Sequence, residues 1–318
     1  MKNALMERIA RAQTIALLGH VRPDGDCVGS TLGLWNYLRD NDPEKRTFLF
    51  LEAPQKKFSY LRGFDRILSS PETPVRPDLA VALDVSDHDR LGDFAPVFDG
   101  AAVTFNIDHH MTNPRFAAET VCEPESSSAC EVLYELLDPG KIGRETAECL
   151  YTGIVTDTGV FKYSQTSRRT MEIAGILMEK GIDFGGIIDG AFYRKTWPQN
   201  QIMGRALTKA ERRLGGKLIV SVLTLQDLAD FCAEKKDIDG IAEQMRLTDG
   251  AECSCLASET EPGVYKLSLR SVSRVNVAEI ALLFGGGGHI RAAGCTVKGR
   301  PEEFLEVITR ETAGQLSC

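Results

Sequence analysis

Residues 14–38 read TIALLGHVRPDGDCVGSTLGLWNYL, and the fold is decided there. Thr14 to Leu18 is an unbroken apolar run, as expected of a strand covered on both faces of a parallel sheet. Val28 to Leu38 reads as a helix. A strand that passes into a helix through Gly19–Asp26 opens a βαβ unit, and the ligand sites of such sheets lie beyond the carboxyl ends of the strands. Further apolar runs at Thr47–Leu51, Leu79–Leu83 and Val103–Ile107 supply more strands, alternating with amphipathic stretches. Ser128 and Glu131 read as a capping box ahead of apolar residues 129, 132, 133, 136 and 137. A helix from Arg168 to Lys180 should stop at Gly181. The expected class is α/β, with a mainly parallel sheet flanked by helices in a larger N-terminal domain.

The chain has 318 residues, more than one core usually organises, so a second domain is expected. Near Trp197-Pro198 the alternation lapses into a polar helical stretch, followed by Gly215-Gly216. We place a first domain at 1–190, a linker at 191–215 and a smaller α/β domain at 216–318. The second domain opens with strand-like Leu218–Leu223, Glu252–Ala257 and Val264–Leu269. It ends with helices near Val277–Phe284 and Glu302–Leu316. Asn276 and Glu279 resemble a capping box for the first of these helices, which runs into four consecutive glycines at 285–288. The active site is expected in the cleft between the domains.

Composition narrows the function. Hydrophobic residues make up 43% and charged residues 26%, which excludes a disordered chain. A net charge of -8 argues against a protein that holds long duplex nucleic acid by general attraction. No apolar stretch is long enough to span a bilayer, and Met1–Gly19 is broken by Glu7, Arg8 and Arg11, so no membrane association and a cytoplasmic location are expected. The nine cysteines are odd in number and irregularly spaced, so they are read as reduced thiols, with Cys253 and Cys255 as buried filler. Cys27 is read as part of the first helical turn and not as a ligand.

Only five histidines occur, His20, His88, His109, His110 and His289, and each lies beside acidic residues or glycines. Four segments stand out: His20 with Asp24 and Asp26, Asp84 in Asp-Val-Ser-Asp, Asp108-His109-His110, and Asp157 in Thr-Gly-Ile-Val-Thr-Asp-Thr-Gly. Three of them follow strands, and the fourth ends a helix. An aspartate after a strand is ordinarily a turn former or a cap. Four acidic segments at one sheet edge, however, would repel one another without a compensating charge, and divalent cations supply it. Carboxylates with imidazoles and no thiolate suit manganese or magnesium.

These motifs together resemble the DHH phosphoesterase superfamily, named for the triplet at 108–110. Gly285–His289 followed by Ala292-Ala293-Gly294 resembles the signature of its DHH-associated C-terminal domain. The resemblance implies two divalent ions, Mn2+ or Mg2+. One would be held by His20, Asp24 and Asp84, the other by Asp26, Asp84, His109 and Asp157. Asp84 would bridge them, Asp108 would orient the histidines, and His110 would act at the substrate phosphate. Arg270, Gly286, Gly287, Gly288 and His289 are implied to bind that phosphate, and Arg90 is a further candidate. His88 is expected at the surface. Phe161, Tyr163 and Tyr265 could stack on a base, although aromatic residues in such apolar contexts are more often core.

Size and motif wording resemble the branch that degrades short RNA oligonucleotides and removes the 3′-phosphate of 3′-phosphoadenosine 5′-phosphate (pAp). A phosphodiesterase for cyclic dinucleotides or their linear products shares the same site and stays as an alternative. So does, in another class, a noncatalytic nucleotide-binding regulator. The implied partners are short RNA and small nucleotides, with the chain a monomer or homodimer.

Overall fold

The computed structural model describes residues 2–71 and 75–317, so Met1 and Cys318 lie outside it. The chain divides into two compact units, the first ending at Arg194 and the second starting at Lys195. In the first, strands β1 (Thr14–Leu18), β2 (Arg46–Phe50), β3 (Ile67–Leu68), β4 (Leu79–Leu83), β5 (Val103–Asp108) and β6 (Glu119–Cys122) form one sheet. Their order is β3-β2-β1-β4-β5-β6, and every pairing is parallel. Helices α1 (Lys2–Arg11), α2 (Gly25–Asn41), α3 (Ala95–Asp99), α4 (Ala129–Leu136), α5 (Arg144–Asp157), α6 (Arg168–Met178) and α7 (Phe184–Ile188) surround it.

The unbroken apolar runs have their explanation in this arrangement. Ile15, Leu17, Val81 and Ile107 point into a core shared with α2, α4 and α5, while Ala16, Leu18, Ala80 and Ala82 meet Val97 and Phe98 of α3. Both faces of the central strands are therefore buried, as α/β sheets require. The strand order also fixes where a ligand belongs. From β1 the chain winds outward through β2 and β3; from β4 it winds the other way through β5 and β6. The crevice at the carboxyl ends of β1 and β4 is the topological switch point of the sheet.

Helices α2 and α5 cross at unusually short range. A Cβ on Gly29 would sit 2.5 Å from the Cys149 carbonyl oxygen, and one on Gly153 would sit 2.6 Å from Asp26 Oδ1. Only glycine at these positions lets the two helices approach this closely. The crossing brings the first turn of α2, with Asp26, beside the last turn of α5, with Asp157.

The second unit contains β7 (Glu211–Arg213), β8 (Leu218–Leu223), β9 (Cys253–Glu261), β10 (Val264–Ser271), β11 (Gly287–His289) and β12 (Ala292–Lys298). They are ordered β11-β12-β10-β9-β8-β7, with only β8 and β9 parallel. Helices α8 (Trp197–Thr208), α9 (Leu225–Asp230), α10 (Ile241–Arg246), α11 (Val277–Leu282) and α12 (Pro301–Ser317) complete it. Leu218, Val220, Leu267 and Leu269 share one core with Val277 and Ile308, and Ile219 and Leu256 share another with Ile202 and Met245.

Some local expectations differ from the structure. Within 191–215, α8 and β7 are ordered elements of the second unit; α8 buries only Ile202 and Ala206, too narrow a stripe to read as amphipathic. Ser128 does cap α4 through the Glu131 amide, but the Glu131 carboxylate does not return to the cap. It accepts instead from the hydroxyls of Ser127 and Thr170, at 2.5 and 2.8 Å. At α11, Asn276 accepts from the Ala278 amide and donates to the Glu279 side chain, so that pair is not a reciprocal box either. The eight cysteines among the described residues are free, and Cys27, Cys130, Cys149, Cys253, Cys255 and Cys295 are buried. No helix among the described residues is long and apolar enough to cross a membrane.

Candidate metal centre

His20 follows β1 and Asp84 follows β4, so the two flank the switch point. Their Nε2 and Oδ2 atoms lie 3.5 Å apart. Asp24 is the N-cap of α2, its Oδ1 accepting from the amides of Asp26 and Cys27 and standing 3.7 Å from His20 Nε2. His20 Nδ1 donates to the Val21 carbonyl at 2.8 Å, which turns Nε2 toward the two carboxylates.

A second group meets on the other side of Asp84. His109 Nε2 lies 3.7 Å from Asp84 Oδ1, 3.9 Å from Asp26 Oδ2 and 3.5 Å from Asp157 Oδ2. Its Nδ1 faces the Ser126 carbonyl at 3.3 Å, again leaving Nε2 free to bind. Asp26 is completely enclosed and accepts from the amides of Ala129 and Cys130, the first residues of α4. Its partial neutralisation therefore comes from a helix N-terminus.

Asp84 carries the strongest sign of a cation. It is 2% exposed, its backbone is left-handed at φ 58°, and its Oδ1 has no hydrogen-bond partner. A buried carboxylate oxygen without a donor is costly unless an ion balances it. The spacings agree: ligands about 2.1 Å from one ion stand roughly 3–4 Å from one another. Burial and the Asp26 charge push the Asp84 carboxyl well above its usual range. Burial likewise lifts Asp26 to about 6, with help from Asp24, and Asp157 to about 7, with help from Asp26. For His20 burial works the other way, but its contacts with Asp24 and Asp84 outweigh it and raise the imidazole well above its ordinary value. Protons here hold apart charges that divalent cations would hold together. Oxygen and imidazole donors of this kind fit manganese or magnesium.

Cys27 Sγ also lies within reach of His20 and Asp84, close enough to form a ligand group with them. It accepts the His20 amide at 3.2 Å, and burial pushes its thiol up to about 11.

Asp108 ends β5 with no exposed surface. It binds His110 Nδ1 at 2.7 Å and so pushes the imidazole up to about 9. Asn113 was not legible as a site residue. Its side-chain amide donates to Asp108 Oδ2, to Asn106 Oδ1 and to the Val85 carbonyl. Only its position five residues after Asp108 hinted at this role. Arg90 lies in the 3-10 segment His88–Phe94; its carbonyl accepts from Val21, and its Nε is buried without a partner. His88 pairs with Asp99 at 2.9 Å near the surface.

In the second unit, Arg270 is the next-to-last residue of β10 and half-buried, with Nη1 donating to the Leu269 carbonyl. Gly287, Gly288 and His289 form β11 and are exposed. Here the glycines also have a packing role, since a Cβ at Gly286 or Gly288 would collide with the backbone of β12. Tyr265 packs on Phe304 and Phe161 on Tyr151, whereas Tyr163 is exposed.

Comparison with known proteins agrees with this construction. Residues 14–154 match the DHH family, N-terminal domain, and 215–314 match the DHHA1 domain. The chain is 32% identical to the bifunctional oligoribonuclease and PAP phosphatase NrnA of Thermus thermophilus, over 93% of this chain and 90% of that one. It is 24% identical to the cyclic-di-AMP phosphodiesterase PdeA of Listeria monocytogenes over 94% of its length, but spans 47% of that protein. A crystal structure of an exopolyphosphatase-related protein from Bacteroides fragilis superposes with a TM-score of 0.83 at 27% identity, covering 98% of this chain and 95% of that one. The chain therefore belongs to the DHH family, in its two-domain form with a DHHA1 domain.

Proposed function

We propose that the chain is a two-metal phosphoesterase that hydrolyses short RNA oligonucleotides and the 3′-phosphate of pAp. The observation that carries the reading is the meeting of His20, Asp24, Asp26, Asp84, His109 and Asp157 around a buried carboxylate oxygen with no donor. The named activities of the NrnA relative supply the substrate class.

His20, Asp24 and Asp84 would hold one divalent ion, and Asp26, Asp84, His109 and Asp157 the other. Manganese is the preferred candidate and magnesium the second. Such ions lower the pKa of water and offset charge on phosphate oxygens, so no protein nucleophile is required. Asp108 keeps His110 cationic, and with Nδ1 engaged its Nε2 is free to donate to the phosphate or the departing oxygen. Asn113 fixes Asp108 in turn. Arg90, Arg270, Gly286–Gly288 and His289 are assigned to phosphate binding: two guanidinium forks, a glycine segment that no Cβ screens from a phosphate, and an imidazole. A cytoplasmic location, where RNA fragments arise, fits these proposed substrates.

A second reading, hydrolysis of cyclic dinucleotides, rests on the likeness to PdeA. A substrate panel separates the two. Manganese-loaded protein should release inorganic phosphate from pAp and mononucleotides from di- to pentanucleotides, and should lose both activities in chelator. Exclusive turnover of a cyclic dinucleotide would transfer the assignment to the second reading, and no turnover of any of these would end both.

A further inference from the structure

The first unit carries another concentration of charge, at the opposite end of its sheet from the acidic cage. A cavity of about 790 Å³ is lined by Arg39, Lys45, Arg46, Arg62 and Arg66, with Asp65 as its single acidic lining residue. Arg46 begins β2, whereas the cage hangs from the far ends of β1, β4 and β5. Along α2, Asp26 and Arg39 are thirteen residues apart, about 20 Å of helix.

The charge of this cavity is not cancelled by its surroundings. Lys45 Nζ donates to the carbonyls of Ala10 and Ala12, and Arg46 Nη2 to the Thr14 hydroxyl, all neutral acceptors. Arg62 pairs with Asp40 at 3.1 Å, and Arg66 with Asp65 at 3.6 Å, both near the surface, where such pairs are weak. Five lining cations thus outnumber the three carboxylates that pair with them or feel their charge, Asp40, Asp65 and Asp78, in a protein whose net charge is -8. A concave wall lined with one sign of charge focuses its potential on whatever enters.

The wall is also built. The Arg39 guanidinium sits over the Trp35 ring at 5.6 Å. Gly63, at φ 93°, closes on the same ring so tightly that a Cβ there would lie 2.6 Å from it. Strand β3 pairs only with Leu49 and Phe50, so among the described residues Arg46–Phe48 has no strand neighbour on that side. Three free residues are too few to recruit a peptide strand, whereas the volume suits one small ligand.

We propose that this cavity binds a small polyanion with consecutive phosphates, such as inorganic tripolyphosphate or the triphosphate of a nucleotide, at a site separate from the metal centre. Planar guanidinium forks engage phosphate oxygens in pairs, and four of the five cations are arginines.

The test uses the full chain in chelator, so that metal-borne phosphate binding is absent and the result does not depend on the proposed activity. The two tryptophans are Trp35 and Trp197; Trp197→Phe leaves Trp35 as the reporter. Tripolyphosphate should change Trp35 fluorescence saturably, with calorimetry giving one ligand per chain. Arg62→Gln with Arg66→Gln, both exposed positions, should weaken binding at least tenfold with an unchanged melting curve, while Arg168→Gln on α6 should leave it intact. Equal affinity for tripolyphosphate and ATP would assign recognition to the phosphates alone; tighter ATP binding would identify a nucleotide as the source. Absence of saturation, indifference to the double variant, or tighter binding of a glutamate-rich peptide than of tripolyphosphate would each overturn the proposal.

Discussion

His110 Nδ1 lies 2.7 Å from Oδ1 of Asp108, a carboxylate with no exposed surface whose other oxygen is held by Asn113. This pair keeps His110 protonated up to about 9. In Asp108→Asn the imidazole loses its anionic partner and its pKa falls toward 6.5. The expected loss in kcat is about 10²- to 10⁴-fold, with the alkaline limb of the kcat profile moved toward neutral pH. Calorimetric manganese affinity should be nearly unchanged, because neither residue belongs to the proposed ligand set. Asn113→Ala should repeat the pattern in weaker form.

Asp84→Asn separates stability from function. The substitution removes a buried carboxyl whose ionisation burial and the Asp26 charge oppose, and whose Oδ1 has no donor. In chelator the variant should therefore melt higher, by about 2–6 °C for a gain of about 0.5–2 kcal/mol. It should bind manganese poorly and lose activity. A lower melting point in chelator would show that the carboxylate stabilises the empty cage.

The acidic cage also sets the pH dependence of the metal-free protein. Asp26 at about 6 and Asp157 at about 7, with Asp84 raised as well, bind protons more tightly in the folded chain than in the unfolded one. Stability from these groups is thus greatest below about 4 and is lost as pH rises to about 7. The raised His20 and His110 carry the decline further, through about 9 for His110. The lowered Asp24 and Asp108 oppose it only at the acid end. Chelated protein should melt at a lower temperature at pH 8 than at pH 6, and excess manganese should remove most of the difference. Manganese affinity itself should fall on acidification, as protons compete for the same oxygens.

Gly29→Ala tests the helix crossing. The added methyl would meet the Cys149 carbonyl oxygen at 2.5 Å, so α2 and α5 must separate. Overpacking of this kind costs about 1–3 kcal/mol. Since Asp26 and Asp157 ride on those helices, manganese affinity should fall with stability. Gly175→Ala on α6, where a Cβ meets nothing within 4 Å, is the control and should be neutral or slightly stabilising.

Arg270→Ala addresses the second unit. KM for pAp should rise about tenfold or more, with manganese occupancy unchanged, as measured by steady-state kinetics beside calorimetry. Equal loss of metal would remove Arg270 from the phosphate-binding role.

Much of the first unit was legible because its sheet is buried on both faces. Thr14–Leu18 and Leu79–Leu83 can hardly be read as anything but central strands, and His20 and Asp84 follow directly from where those strands stop. Edge elements were not legible. Strand β3 has two residues and β6 begins with half-buried Glu119, so neither imposes a pattern. Strands β11 and β12 were hidden by glycines and alanines, which carry little hydrophobic signal. The two boxes failed for different reasons: the Glu131 carboxylate is taken by Ser127 and Thr170, whereas Glu279 does bind Asn276, but through its side-chain amide, while the Asn276 backbone amide goes to Gln315. Asn113 is a tertiary fact of the same kind, since its acceptors come from the ends of β4 and β5.

Asp26 holds two posts at once, facing His109 with one edge and fastening the first amides of α4 with the carboxylate as a whole. His110 and Asp157 have no comparable second employment. A descendant of this chain released from selection for catalysis would shed those two early and keep Asp26 long afterwards, because the fold would go on demanding it. A lineage that retains Asp26 amid a decayed triplet would be a fossil of the enzyme rather than a working copy.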